Sequence, residues 1–172
     1  SSRVQQQGVA RLLGGYERLL SRLTPGTNQL SLSHASAVIL DNEVDHNLLI
    51  SSVSKVMEKH PMLRSYISRQ DGQSESWMYC DKPSLDLAAD VVSTKVIQDV
   101  VLFDSTWQAL MEAGLNNAIF RPEGPLWRLT NVVCPELNTA AWIFCVNHGA
   151  DDQGSINLVV NDLVCVYNCL KN

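Results

Sequence analysis

The sequence predicts an α/β layered sandwich in which a mixed, largely antiparallel sheet packs against helices. Three observations predict this class of fold. Stretches with strand character alternate with stretches of helical period, two apolar strands near the end are joined by a short polar segment, and a strongly amphipathic helix follows them. The 172 residues, 45% of them hydrophobic, suffice for one domain with a substantial core.

The first half of the chain is predicted to contain a helix, a strand, a second helix and a pair of strands. These five elements occupy residues 9–22, 29–40, 46–59, 62–69 and 75–79. Asp45 is a good N-cap for the second helix, since its carboxylate accepts from free backbone N–H groups of the first turn. Pro61 ends that helix, because the residue before a proline is disfavoured in the α region.

The second half begins with an ambiguous stretch, residues 80–101, that contains only short strand-like pieces. A helix is then predicted from Asp104 or Ser105 to about Asn117. Its apolar face comprises Trp107, Leu110, Met111 and Leu115. Phe103, just before the helix, is placed to act as a hydrophobic staple.

A hairpin and a helix follow. Residues 127–133 and 140–147 fit antiparallel strands joined across residues 134–139. The second strand is apolar on both faces, so we expect it to lie inside its sheet. Residues 155–170 fit a helix whose apolar residues recur at helical spacing. These residues are Ile156, Val159, Val160, Leu163, Val164 and Tyr167.

Composition and charge argue against several classes of function. The net charge is −5 and no basic cluster is present, whereas nucleic-acid binding requires clustered Lys and Arg. The longest apolar run, residues 140–146, is too short to span a bilayer. The first residues are polar and do not begin with Met, so a removed signal or propeptide is left open, and with it a cytoplasmic or a secreted location.

The cysteines give no sign of metal or redox chemistry. They are Cys80, Cys134, Cys145, Cys165 and Cys169. An odd number without a Cys-x-x-Cys pair argues against zinc and thioredoxin-like sites. We expect them to be buried thiols, which behave as small hydrophobic groups.

A polar loop, residues 147–155, lies between the apolar strand and the last helix. It contains His148 and Asp152 in a His-x-x-x-Asp pattern, which is weak alone because random placement produces it about one time in four. Neutral imidazole near pH 7 removes protons from alcohols, amines and thiols, so His148 is a candidate general base. The alternative from the motif alone is a surface-loop histidine beside two solvated aspartates, Asp151 and Asp152.

Four separated segments resemble the chloramphenicol acetyltransferase-like superfamily, which includes condensation domains of nonribosomal peptide synthetases, wax-ester synthases and alcohol acetyltransferases. Residues 147–154 are similar to its His-His-x-x-x-Asp-Gly motif, with His148 as the second His. Residues 48–64 are similar to its helix followed by His-Pro-x-Leu-Arg. Residues 124–128, Gly-Pro-Leu-Trp-Arg, match the segment that leads into a strand, and residues 13–18 resemble the opening of alcohol acetyltransferase-type members.

The resemblance implies a role for each residue of the loop. His148 is the catalytic base that deprotonates the acceptor. Asp152 is a structural residue that pairs with Arg64, an arrangement suited to the directional hydrogen bonds of a guanidinium. The backbone N–H of Gly149 is placed to stabilise a developing oxyanion, with Asn147 beside it on the substrate side.

Two positions depart from the family pattern. Asn147 stands where the family has the first His of the pair, which is the less critical of the two. Gln153 stands where the family has the Gly after the Asp, and Gly154 follows one position later. The second departure affects the conformation of the loop and therefore the aim of His148.

The activity that the resemblance implies is transfer of an acyl group from a thioester to a hydroxyl or amine acceptor. Acyl-CoA or another thioester would be a co-substrate, and no cofactor would be bound permanently. Members of the family are more than twice as long and consist of two similar lobes with the site in a tunnel between them. Residues 1–172 match the N-terminal lobe, so we expect a second lobe as a separate chain, or self-association, to cover its apolar surface.

Two other functions stay open. A non-catalytic carrier would use the same fold to hold a lipid or another hydrophobic small molecule, and the residues at Asn147 and Gln153 favour it modestly. Metal binding by His148, Asp151 and Asp152 is disfavoured, because two adjacent carboxylates seldom point at one ion and no second histidine is near in sequence.

Overall fold

The computed structural model describes residues 11–12, 33–69, 76–116, 124–147 and 153–172. Within these ranges the chain forms seven strands and four α-helices. The strands are β1 (Arg11–Leu12), β2 (Ser33–Leu40), β3 (Ser65–Arg69), β4 (Ser76–Cys80), β5 (Val92–Val96), β6 (Trp127–Cys134) and β7 (Thr139–Asn147). The helices are α1 (His46–Lys59), α2 (Leu85–Val91), α3 (Phe103–Asn116) and α4 (Gln153–Lys171). Single 3₁₀ turns occupy Pro61–Arg64, Val100–Leu102 and Pro135–Leu137.

Two sheets organise these strands. The larger sheet has the order β2-β7-β6-β5, with antiparallel β2–β7 and β6–β7 pairs and a parallel β5–β6 pair. The smaller sheet has the order β1-β4-β3 and is antiparallel. The predicted α/β sandwich with a mixed, largely antiparallel sheet is therefore confirmed. β7 lies between β2 and β6 and is buried from Ala140 to Val146, as its apolar sequence predicted.

Helices cover both faces of the larger sheet. On one face, Trp142 and Phe144 of β7 pack into a large core with α1, α2 and α4. On the other face, Ile143 and Cys145 pack into a smaller core with α3. Alternate residues of one strand point to opposite faces, so the continuous apolar run of β7 supplies both cores. We call these two surfaces the α1/α4 face and the α3 face.

Local signals in the sequence set the ends of α1. The side chain of Asp45 accepts a hydrogen bond of 2.7 Å from the Leu48 N–H, which confirms the predicted N-cap. The helix ends at Lys59 before Pro61, also as predicted. The next strand starts at Ser65, three residues later than predicted, because Pro61–Arg64 form a 3₁₀ turn. The Ser65 hydroxyl closes that turn by donating to the Pro61 carbonyl at 2.9 Å.

Two predictions about the secondary structure were wrong or incomplete. Arg11–Leu12 form a strand paired with Trp77 and Met78, so this part of residues 9–22 is not helical, and the rest of that stretch lies outside the described residues. The ambiguous stretch 80–101 contains α2, which Ser84 caps by accepting from the Leu87 N–H at 3.1 Å. The loop of residues 121–125 is described only at its last two residues, which are buried.

The packing of α3 also differs in detail from the prediction. Phe103 is the first residue of the helix and is buried, so it does not act as a staple from outside. Trp107, Leu110 and Met111 pack partly buried against the α3 face as expected, but Leu115 is exposed. Gly114 is buried in its place, because the helix lies close to β7 at this point.

Two of the five cysteines contradict the expectation of buried thiols. Cys134 and Cys145 are buried and Cys80 is half-buried, but Cys165 and Cys169 are exposed on α4. The buried stripe of α4 runs through Ile156 and Leu163, and neither exposed cysteine lies on it. No helix within the described ranges is both long enough and apolar enough to cross a membrane.

Candidate active site

The candidate site lies where β7 ends and α4 begins. β7 ends at Asn147, whose backbone N–H donates to the Leu126 carbonyl at 2.8 Å, and α4 starts at Gln153. The predicted junction between a buried strand and a helix is therefore present. His148, Gly149, Asp151 and Asp152 lie outside the described residues. The elements on both sides of the loop are described, up to Asn147 and from Gln153.

Two of the sequence segments that resemble the family meet beside this junction. The indole Nε1–H of Trp127 donates to the Leu63 carbonyl at 2.6 Å. This bond joins the Gly-Pro-Leu-Trp-Arg segment to the His-Pro-Met-Leu-Arg segment, although 64 positions separate the two residues. Leu126, next to Trp127, holds the end of β7 through its carbonyl. The end of the central strand is therefore tied to both segments by buried or half-buried hydrogen bonds.

Arg64 is half-buried and follows Leu63 in the chain. Its Nε–H donates to the Met57 carbonyl at 3.0 Å, near the end of α1. Its Nη1 donates to the Asp81 carbonyl at 2.5 Å and to the Cys80 sulfur at 3.0 Å, at the end of β4. The guanidinium therefore connects the last turn of α1 to the smaller sheet. Its predicted partner, Asp152, is outside the described residues.

A charged cluster on the neighbouring helices was missed by the sequence analysis. The carboxylate of Asp162 on α4 accepts from His60 Nε2 at 2.6 Å and from Lys59 Nζ at 2.8 Å. The hydrogen bonds from Lys59 and from His60 lower the pKa of Asp162. This cluster fixes the end of α1 against the middle of α4. An acidic residue within an apolar helix was the available signal, but its partners are about a hundred positions away.

A second histidine lies closer to the junction than the sequence indicated. His34 on β2 pairs with Val146 on β7. The next pair toward the end of β7 is Ser33 with Asn147. It is half-buried on the α1/α4 face. His34 is more than a hundred positions from His148 in sequence, and only the pairing of β2 with β7 brings it beside the end of β7.

The floor of the junction is aromatic and rigid. The rings of Trp127 and Phe144 stack with centroids 6.1 Å apart and an interplanar angle of 10°. Both side chains are at most 3% exposed, and Ile156 from the first turns of α4 packs in the same core. A rigid, buried cluster of this kind suits a reactive site, which needs well-packed supporting residues.

The sequence matches no family model and no curated protein. In three dimensions the chain is similar to condensation domains. The first condensation domain of the CDA synthetase matches with a TM-score of 0.76 and 16% identity, over 95% of this chain and 40% of that chain. A variant of the starter condensation domain of rhizomide synthetase RzmA, in complex with C8-CoA, matches with a TM-score of 0.73 and 17% identity, over 94% and 36% of the chains.

A more distant match extends the same result. The condensation domain of the Monacolin K polyketide synthase MokA has a TM-score of 0.69 and 9% identity, over 95% of this chain and 35% of that chain. The chain therefore has the fold of one lobe of a condensation domain, within the chloramphenicol acetyltransferase-like fold that the motifs predicted. It spans less than half the length of each of these proteins.

Proposed function

We propose that this chain is one lobe of an acyltransferase that moves an acyl group from a thioester to a hydroxyl or amine acceptor, with His148 as general base. One observation carries the proposal. His148 follows Asn147 directly in sequence, and Asn147 ends the doubly buried central strand at the point where the two family-like segments meet. The match to a condensation domain in complex with C8-CoA supports a thioester donor.

The proposed reaction needs no covalent enzyme intermediate. The imidazole of His148 takes the proton of the acceptor O–H or N–H as the acceptor attacks the thioester carbonyl. The carbonyl oxygen becomes an oxyanion, which the Gly149 N–H stabilises. When the intermediate collapses, the carbon–sulfur bond breaks, and the imidazolium returns the proton to the leaving thiolate. A positioned general base of this type contributes a rate factor of roughly 10² to 10⁴.

Three further residues support the base in this proposal. Asn147 fixes the start of the loop, because its N–H is bonded to the Leu126 carbonyl. Arg64 binds Asp152 and thereby holds the end of the loop. The described hydrogen bonds of Arg64 use its Nε and Nη1, so we assign Nη2 to the Asp152 carboxylate. In this arrangement Asp152 is a positioning residue and does not touch the substrate.

The second lobe is part of the proposal. The condensation domains that match are more than twice as long as this chain, which covers 35–40% of each. A tunnel between two lobes would then need a second lobe to complete it. The partner would cover the end of the sheet where Trp127 and Asn147 lie, because the loop of His148 starts there.

A carrier of a hydrophobic small molecule is the second candidate. It is favoured by Asn147 and Gln153, which replace the first His and the Gly of the family motif. Asn147 has no acid–base chemistry near pH 7, and a changed loop would move His148 away from the acceptor. Such a protein would keep the two-lobed fold and its tunnel but would bind its ligand without turnover.

Acyl transfer is tested with the protein in complex with its second lobe. The assembly is incubated with labelled octanoyl-CoA and a panel of primary alcohols and amines, and acylated product is measured. His148→Ala should reduce the rate at least a hundredfold, as expected for the loss of a general base. His46→Ala is the matched control, because His46 is an exposed histidine at the start of α1 and should leave the rate unchanged.

The same assembly is used to distinguish an acyltransferase from a carrier. Native mass spectrometry of the purified assembly should show no retained small molecule if acyl transfer is the function. A stoichiometric hydrophobic ligand, together with no turnover of any donor, would overturn the acyltransferase proposal in favour of the carrier. Equal rates for the wild type and His148→Ala would remove His148 from the reaction.

A further inference from the structure

Two cysteines lie about one turn apart on the outer face of α4. Cys165 and Cys169 are both free and exposed, and they are four positions apart in the helix. Residues at this spacing lie on the same side of a helix, with Cβ atoms about 5–6 Å apart. The buried stripe of α4, which includes Ile156, Leu163 and Tyr167, faces the core instead. The two thiols therefore share one patch of the solvent-facing surface.

An exposed pair of thiols is an unusual use of cysteine. Unpaired cysteine is among the residue types most often buried, as Cys134 and Cys145 are in this chain. Cys165 and Cys169 belong to neither of the two hydrophobic cores. Packing therefore gives no reason for these two residues, and the chemistry of the sulfur atoms is what remains.

The geometry of the helix keeps the two sulfurs from forming a disulfide with each other. A disulfide needs Cβ atoms about 3.5–4.5 Å apart, which is shorter than the separation at this helical spacing. A bridging atom removes the conflict. A bond between a thiolate and a metal ion is about 2.3 Å long, so a sulfur–metal–sulfur bridge spans up to about 4.6 Å. The pair therefore suits a bound cation better than a direct bond.

The number of ligands selects the kind of cation. The described part of the chain contains no group of three or more His, Cys, Asp and Glu side chains that could hold a metal ion, so it supplies two ligands here. Structural Zn²⁺ takes four ligands in a tetrahedral arrangement. Thiolates are soft ligands that select Cu(I), and Cu(I) accepts two thiolates in a linear arrangement.

We propose that Cys165 and Cys169 bind one Cu(I) ion between their two thiolates, on the outer face of α4. Each thiol releases one proton, two sulfur–metal bonds form, and no electron is transferred. The site does not depend on acyl transfer. Cys165 is 12 residues beyond Gln153 at the start of α4. At a rise of 1.5 Å per residue, about 18 Å of helix separates the pair from the loop of the candidate active site.

Binding is tested by competition for Cu(I) on the full chain. The reduced protein is titrated under anaerobic conditions into the coloured Cu(I) complex of bicinchoninate, and the loss of colour gives the stoichiometry. The wild type should take up one Cu(I) per chain more than the double variant Cys165→Ser/Cys169→Ser, in which Cys80, Cys134 and Cys145 remain. Equal uptake by the wild type and the double variant would overturn the proposal.

Single variants test whether the two thiols act together. Linked ligands gain a factor of roughly 10² to 10⁴ over separate ones, so Cys165→Ser and Cys169→Ser should each weaken Cu(I) binding at least a hundredfold. Affinity equal to that of the wild type in either variant would rule out a site with two sulfur ligands. Uptake of one Cu(I) per two chains, with dimers appearing in sedimentation, would place the ion between chains and contradict a site within one helix.

Matched variants test the helical spacing while the number of thiols on this helix stays at two. Cys169→Ser with Asn168→Cys places a thiol three positions after Cys165, on the same side of the helix, and should restore binding. Cys169→Ser with Leu170→Cys places it five positions after Cys165, roughly 140° around the helix axis, and should not. Asn168 and Leu170 are both exposed, so neither change should disturb the core. Equal Cu(I) affinity of these two variants would show that the spacing is irrelevant and would overturn the proposed site.

Discussion

The two faces of the central sheet are buried by different means. On the α1/α4 face, β7 contributes large rings, Trp142 and Phe144, which fill a thick core. On the α3 face it contributes smaller side chains, Ala141, Ile143 and Cys145, and the helix lies close. A Cβ atom added at Gly114 would lie 2.1 Å from the Cys145 sulfur. The α1/α4 face is therefore stabilised by the volume of its buried side chains, and the α3 face by the close approach of α3 to β7.

Polar contacts add a second difference between the faces. The α1/α4 face is joined across long sequence distances by Lys59 and His60 to Asp162 and by Trp127 to the Leu63 carbonyl. On the α3 face, Trp107 bonds to Asp104 within its own helix. The α1/α4 face therefore has polar contacts between distant segments of the chain, whereas the contact on the α3 face is local.

The largest expected effect on stability comes from replacing leucine by alanine on each of the two faces. Leu163→Ala on α4 removes a side chain that is 1% exposed and should destabilise the protein by about 3 kcal/mol. Leu110→Ala on α3 removes a partly buried side chain and should cost only about 1 kcal/mol. Chemical denaturation of both variants measures the difference. Equal losses would mean that the α3 face depends on volume as much as the α1/α4 face does.

The close approach on the α3 face predicts the next effect. Gly114→Ala should destabilise by about 2 kcal/mol, because the new methyl group overlaps the Cys145 sulfur, although alanine favours the helix. The double variant with Cys145→Ala removes the overlap and should recover at least about 1 kcal/mol relative to the sum of the single variants. Burial raises the pKa of the Cys145 thiol, so it acts here as a neutral packing group. Simple additivity would contradict the overlap.

A substitution at Arg64 tests how much its hydrogen bonds contribute to the stability of the protein. Arg64→Ala removes hydrogen bonds to the Met57 and Asp81 carbonyls and should destabilise by about 1.5 kcal/mol. Lys55→Ala is the matched control, since Lys55 is exposed on α1 and should change stability little. Thermal and urea denaturation measure both variants. A loss below about 0.5 kcal/mol for Arg64→Ala would place it among ordinary surface residues.

The features predicted correctly from the sequence are the local ones. The N-cap at Asp45, the helix end before Pro61 and the buried character of β7 depend on neighbouring residues and on hydrophobic period. The helix at residues 85–91 was not predicted, because seven residues are too few for a helical period to be recognised. The parallel partner of β6 could not be predicted, since pairing between distant strands leaves no local signal.

The cysteines of α4 show a conflict between two kinds of sequence signal. Residue type predicted that Cys165 and Cys169 are buried, and the structure shows them exposed. Helical period gave the correct answer, because neither residue lies on the stripe that contains Leu163 and Tyr167. The phase of an amphipathic helix is therefore a better guide to burial than the identity of a single residue.

Some features of the candidate site could be predicted from neighbouring residues, and others depend on contacts between distant segments. The motif of His148 and the end of β7 at Asn147 are local, and the end of the strand was predicted to the residue. The bond from Trp127 to the Leu63 carbonyl and the position of His34 beside Val146 depend on pairings between distant segments. Physical reasoning on one sequence identifies the segments, and only the fold shows that they meet.

The smallest expected effect concerns the charged cluster that joins α1 to α4. The pKa of Asp162 is lowered by hydrogen bonds from Lys59 and His60, so the folded state binds this proton less readily than the unfolded state. Its stabilising contribution should therefore be present above the ordinary aspartate pKa, about 3.9, and be lost as the pH falls through the lower value of the folded state. Asp162→Asn should be less stable than the wild type at pH 7, and the difference should shrink as the pH falls from 7 to below the ordinary aspartate pKa. Urea denaturation across this range measures the difference, with the exposed Asp41→Asn as control. A gap between wild type and Asp162→Asn that persists unchanged in acid would mean that the contact between α1 and α4 depends on packing, and that its charges are incidental.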